Sequence, residues 1–457
     1  MSLWSCFMRR QLLGQFFAVF SFVSLVGCLP EQLDEPIPVT DKPVLPGLLC
    51  KPFIQTGYTG RMSYYPGESM QVFFDSKEVH EVCRLTIYTV SGDSAYSTSS
   101  SLPAVPQIPA DASENGFDFP VAVEFEVPNL KSGIYLIEKQ IPFIIKTNDP
   151  VDVMLVYPSN TANAYATSGG KSLYTKERPA SVSFERPIQL QALSEACLKW
   201  FDQLQGFSIG YVADIDLDDF SSFSHAKVLV VAGHSEYWTR QARHNFDRFV
   251  DFGGDALVLS GNTMWWQVRY SEGKDRMICY KDGDLDPVID PLFKTINWNE
   301  PLVDYPIWSS IGAHFPLGGY GLKTDAGWDG LKIASPSSPL FEGLGLKRGD
   351  IISLPSLEYD GAPVNGYDAE GYPLIDNSIL NFEKIELLAF DKGYRASETN
   401  ATFIVFRKTP TSGIVINTAT TNWCSSTGMG GASGDVIKRI TLNALAKLVN
   451  DAPVFIP

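Results

Sequence analysis

The run Gly233-His234-Ser235-Glu236-Tyr237-Trp238 sets an imidazole and a carboxylate two positions apart. In an extended segment such residues project to the same side. Together they can serve as metal ligand and general base, or form a structural hydrogen-bonded pair; the spacing alone leaves both open. Other chemistries are disfavoured. There is no Gly-x-Ser-x-Gly elbow to present a hydrolase serine. No Gly-rich phosphate loop follows the first apolar strand. His234 and Ser235 stand where a glutamine-amidotransferase-type cysteine would sit after a strand. The seven cysteines form no Cys-x-x-Cys pair, so no zinc or redox motif is present.

The elements before these residues explain how a site could assemble. Lys227 to Ala232 is almost wholly apolar and reads as a buried strand that delivers His234. Ala256 to Leu259 delivers Ser260-Gly261-Asn262, and Val151 to Val156 delivers Tyr157-Pro158-Ser159-Asn160. Ligands collect at the carboxyl ends of strands in open α/β sheets, so three polar loops would meet at one edge. Between them, Gln189 to Leu204 reads as a helix, with Leu190, Leu193, Cys197, Trp200, Phe201 and Leu204 on one face and Gly206 beyond its end. Thr239 can cap a second helix that runs to Gly253-Gly254. Alternating strands and helices predict a doubly wound α/β domain, flavodoxin- or glutamine-amidotransferase-like. The aromatic, Gly-rich stretch to about Arg395 reads as long loops or inserted hairpins, with Trp265, Trp266, Trp298 and Trp308 as core or binding residues. Late strands at 403–406 and 414–416 and a helix from Asp435 to Val449 close the chain.

The amino-terminal third is different. Met8-Arg9-Arg10, an apolar run from Leu12 to Val26, and Leu25-Val26-Gly27-Cys28 follow the order of a bacterial lipoprotein signal. An uncleaved anchor or an ordinary signal peptide is the alternative. The organisation expected is a signal peptide at 1–28, a Pro-rich acidic linker at 29–47, a β-sandwich of immunoglobulin-like shape at 48–148, and the α/β domain at 149–457. With Cys28 lipidated, the protein would face the periplasm or the cell surface of a bacterial envelope, held to the membrane only by that lipid. The formal net charge of -16 argues against nucleic acid and anionic lipid as partners. Cys50 and Cys83 are close enough in sequence to pair within the first domain, and an odd count leaves at least one thiol free.

The segments Asn160-Thr161, Ala164-Tyr165, Gly170-Lys171-Ser172-Leu173-Tyr174, Gly233 to Trp238, Gly261-Asn262 and Trp265-Trp266 resemble the carboxyl-terminal region of the N,N-dimethylformamidase large (β) subunit. Gly57-Tyr58, Tyr65-Pro66-Gly67-Glu68 and Ile440 to Leu445 extend the likeness over roughly residues 50 to 450. The resemblance implies an amide-hydrolysing centre with a mononuclear iron, ferric by its donors. It implies Tyr165, Tyr174 and Glu236 as ligands, His234 beside the metal as proton handler, and Asn262 orienting substrate or His234. Phenolate and carboxylate are hard oxygen donors that suit such an ion. Departures from the family pattern are Ser235 in place of a proline and Ala162 in place of a tyrosine. A small amide or a glycan-linked amide is the substrate class implied. The alternative is a non-catalytic surface lipoprotein that binds carbohydrate or peptide.

Overall fold

The computed structural model describes residues 54–76, 80–102, 107–321 and 327–457. The signal segment with Cys28, the linker and Cys50 lie outside them. Residues Leu48–Pro457 form one compact unit.

Strands carry most of it. Between Ile54 and Ile145 they form a three-stranded and a five-stranded sheet. Met70, Val72 and Phe74 of one strand alternate inward and meet Leu85, Ile87, Tyr135 and Phe143 in a shared core. Cys83 is disulfide-bonded, whereas Cys197, Cys279 and Cys424 are free and buried. The five-stranded sheet shares packing with the carboxyl-terminal two thirds of the chain. Val90, Ile134 and Ile144 pack into the core that holds Val153 and Tyr211. Asp216 accepts from Ser63 and from Lys146, both at 2.8 Å.

An eleven-stranded sheet dominates the remainder. Ile209–Ala213, Val151–Tyr157, Ala226–Ala232, Asp255–Leu259 and Ile414–Asn417 lie side by side and parallel. Their Val, Leu and Ile side chains are buried on both faces, as unbroken apolar runs require. Ser397–Arg407, Lys384–Arg395, Gly319–Tyr320 and Glu358–Gly361 then extend the sheet antiparallel.

The doubly wound α/β expectation is overturned. The chain is mostly strand, in several sheets, and only 19% helical. A doubly wound fold needs a helical crossover after each strand, and here that series is incomplete. Only two 3-10 turns, Asp214–Asp218 and Phe220–Ser222, join Ile209–Ala213 to Ala226–Ala232. The Gly-rich stretch, expected as long loops or inserted hairpins, supplies hairpins to the main sheet. It also supplies two strands of a separate four-stranded sheet, Trp266–Tyr270 and Arg276–Ile278. The helix expected from Gln189 begins only at Glu195, because the Gln191 side chain is committed to main-chain groups of His234. The Thr239 cap forms as the sequence indicates, its hydroxyl accepting from Ala242 N–H at 3.0 Å.

One buried charge makes folding pH-dependent. Asp255 opens its strand and accepts from Ile414 N–H at 2.7 Å. Burial, then Asp451, push its carboxyl up to about 6, against the Ile414 bond and Arg407. As pH rises from about 4 to 6 the unfolded chain ionises first, so stability falls and then stays lowered. Asp255→Asn keeps the acceptor for Ile414. In urea unfolding it should stabilise by about 1–2 kcal/mol at pH 8 and change little near pH 4. An equal effect at both pH values would refute this.

Candidate active site

Three strand ends build the site. Val151–Tyr157 leads through Pro158 into the short helix Ser159–Tyr165, whose last residue is Tyr165. Ala226–Ala232 leads to Gly233, whose φ of +78° is a left-handed conformation. A Cβ there would stand 2.1 Å from Ser194 Oγ, so glycine is required on both counts. Asp255–Leu259 leads to Gly261 and Asn262. The loop after Tyr165 returns Tyr174 to the same place, and the two tyrosine rings stack at 4.1 Å.

Glu236 is the centre of the cluster, 2% exposed. The Tyr174 hydroxyl donates to both its carboxylate oxygens, at 2.8 and 2.7 Å. The Tyr165 hydroxyl donates to Oε2 at 3.1 Å. His234 Nε2 lies 3.3 Å from the same oxygen and 3.4 Å from the Tyr165 hydroxyl. Its Nδ1–H donates to the Gly261 carbonyl at 3.1 Å. Gln191 clasps the His234 main chain at both N and O, each at 3.0 Å.

Burial alone would lower the His234 pKa. The hydrogen bond and charge of Glu236, then Glu358 and the Gly261 carbonyl, outweigh it and leave the imidazole at about 9. It is therefore an imidazolium at neutral pH. Burial opposes ionisation of Glu236, but the His234 bond and charge, with Lys281 and Tyr174, hold its carboxyl below the usual range. Burial and then the Glu236 charge push both tyrosines well above the ordinary phenol value, so without a cation they stay protonated.

Tyr165, Tyr174, His234 and Glu236 therefore come together in one cluster. Asn262 lies beside it, bonded to Glu358. Its Nδ2 donates to Glu358 Oε2 at 3.2 Å, and its buried Oδ1 has no partner among the described residues. Ala162 lies on the same helix as Tyr165 and is buried.

Sequence reasoning missed three contributors. Glu358 Oε2 lies 3.5 Å from His234 Nε2, although it comes 96 residues after Asn262 in a stretch read as loop. Lys281 Nζ sits 3.8 Å above the Tyr174 ring and donates to the Leu173 carbonyl. Arg186, fully buried, ties down the Tyr165–Tyr174 loop. No spacing joins these residues to the His-x-Glu run. A lone arginine between Glu185 and Pro187 carried the only faint signal.

Among the described residues no group of three His, Cys, Asp or Glu side chains gathers as a metal site. The phenol oxygens stand 2.7 to 3.1 Å from the Glu236 carboxylate. Oxygens bound to one small ion at about 2 Å each are spaced at roughly 3 Å, so the donor set fits.

Among solved structures, the chain is similar to a cytoplasmic protein from Salmonella typhimurium at 10% identity. That likeness covers 65% of this chain and 98% of that one, at a TM-score of 0.25, too low to carry any argument. No curated protein matches the sequence. Residues 79–433 match the family model described as N,N-dimethylformamidase beta subunit-like, C-terminal, and by that match the chain belongs to this family of dimethylformamidase-like hydrolases.

Proposed function

We propose that the chain hydrolyses a C–N amide-type bond at a mononuclear ferric centre held by Tyr165, Tyr174 and Glu236. The observation that carries this reading is the convergence of two phenol hydroxyls on one buried carboxylate. When bound, the ion would supply Lewis-acid polarisation of a carbonyl and a more acidic water. The remaining work falls to the chain. His234, whose Nε2 lies 3.3 Å from Glu236 Oε2 and which lines the cavity beside the site, can give a proton to the leaving nitrogen. Glu358 Oε2 lies 3.5 Å from His234 Nε2 and can accept a proton from the attacking water. Asn262 Oδ1 is a ready acceptor that can orient that water. The products are a carboxylic acid and an amine, with water supplying the hydroxyl.

Metal analysis and a visible spectrum of the purified protein test the reading. Iron near one per chain, with a phenolate-to-ferric charge-transfer band that Tyr174→Phe removes, is the expected result. A colourless, metal-free protein that still cleaves amides would overturn it. Glu358→Gln separates proton handling from metal binding. It should keep the iron and the band while kcat falls by about 10²–10⁴-fold, the usual range for a lost general base. Loss of iron in that variant would reassign Glu358 as a ligand.

A further inference from the structure

A cavity of 490 Å³ opens directly on the site and is lined by Tyr165 and His234. Ala162, Leu190, Gln191 and Leu193 form much of its wall, and apart from those two site residues no lining side chain can carry a charge. An amide of about five heavy atoms would occupy on the order of 150 Å³ at a water's ~30 Å³ each, which leaves most of this space unfilled. The cavity does not end there. Thr56, Pro187, Gln189 and Leu190 also line a second cavity of 460 Å³, whose wall includes Lys139, Glu195 and Lys199. The two cavities adjoin along these four shared residues, and together they make a groove with His234 in the wall of one part and Val90 and Leu136 in the wall of the other.

We infer that the substrate is an amide whose nitrogen carries an extended, uncharged, amphipathic substituent lying in this groove. The inference rests on the hydrolase reading above. His234 lines the inner end of the groove and stands where the leaving nitrogen must be protonated. The groove therefore receives the nitrogen side of the bond. Its inner wall mixes Ala and Leu with Thr167, Ser168 and Gln189, which suits alkyl chains bearing hydroxyl or ether groups. A charge in this inner cavity would find no charged partner apart from the two site residues. In the reaction, water adds its oxygen to the carbonyl carbon and the C–N bond breaks. The nitrogen leaves with a proton from His234 as a long-chain amine, and the acyl part leaves as the acid.

N-methyl-, N-butyl- and N-octylacetamide, with an N-carboxyalkyl analogue, form the test series for the iron-loaded protein. The expected result is kcat/KM rising by about tenfold or more from methyl to octyl, with the charged analogue poor. Ala192, exposed at the groove, offers a block that does not disturb the core. Ala192→Trp should lower the octyl-to-methyl ratio of kcat/KM by about tenfold. Ala162→Phe should do the same from inside the cavity. Equal turnover across the series, or a ratio unmoved by Ala192→Trp, would overturn the inference while leaving the hydrolase intact. Failure to cleave any amide would instead overturn the hydrolase reading. Calorimetric titration with N-octylacetamide then still reads the groove: binding weakened by Ala192→Trp supports it, and absent binding refutes it.

Discussion

Glu236→Ala should abolish both iron binding and amide hydrolysis, with activity falling by on the order of 10³-fold or more. In the proposed centre, two phenolates and one carboxylate would supply three negative charges to balance a ferric ion in a pocket where Glu236 is 2% exposed. Removing the carboxylate leaves buried positive charge uncompensated, a defect that costs about 3–5 kcal/mol, or roughly 10²–10⁴ in affinity. The same change deprives both tyrosine hydroxyls of their acceptor and His234 of its nearest carboxylate. His234 then loses the largest influence that raises its pKa, leaving Glu358 and the Gly261 carbonyl against burial, so its pKa falls and its proton-donating role weakens. Glu236→Gln keeps the shape but not the charge and should fail in the same way. Elemental analysis beside the rate assay decides the matter: a Glu236→Ala protein with wild-type iron content would show that the ligand set lies elsewhere.

The parts of this site that could be read from the sequence are those set by short-range spacing. His234 and Glu236 are two apart on extended backbone, and the apolar run before them fixes where they emerge. Pairing of the buried parallel strands then brings Gly261 beneath His234, as three apolar runs with polar loops after them suggested. Glu358 obeys no such rule. It reaches His234 only because Glu358–Gly361 sits at the far antiparallel end of the main sheet and folds back over Asn262. That end is built from hairpins whose alternation is broken by Gly and aromatic residues. The fold class was misread for the same reason. Five parallel strands have the local signature of a doubly wound sheet, but not every crossover is helical: two 3-10 turns join Ile209–Ala213 to Ala226–Ala232, and the sheet goes on into antiparallel hairpins. Burial on both faces produces the same apolar run whichever element connects the strands.

Arg186→Ala should destabilise the protein by about 3–5 kcal/mol and, with the chain still folded at low denaturant, empty the metal site. Its guanidinium is fully buried and has no carboxylate bonded to it. Instead Nε donates to Ser183 O and Asn163 Oδ1, Nη1 to the carbonyls of Ser168 and Lys171, and Nη2 to both oxygens of Asn163. Burial lowers its pKa only to about 10, so it remains charged at neutral pH. The acceptors lie on either side of Tyr165 and just before Tyr174. The arginine therefore fixes the loop that holds the two rings in their 4.1 Å stack. Removing it leaves five oxygens short of a donor, and the three in buried contacts, Asn163 O and Oδ1 and Ser183 O, are each worth about 1–3 kcal/mol before relaxation or water entry. Arg186→Lys restores the charge but not the planar fork, and one ammonium cannot span both strands of the loop. It should recover part of the stability and little of the metal. Urea midpoints and iron content measured on the two variants separate a positioning role from a purely structural one. Wild-type iron in Arg186→Lys at reduced stability would make Arg186 a structural residue alone, and an unchanged midpoint in Arg186→Ala would remove both roles.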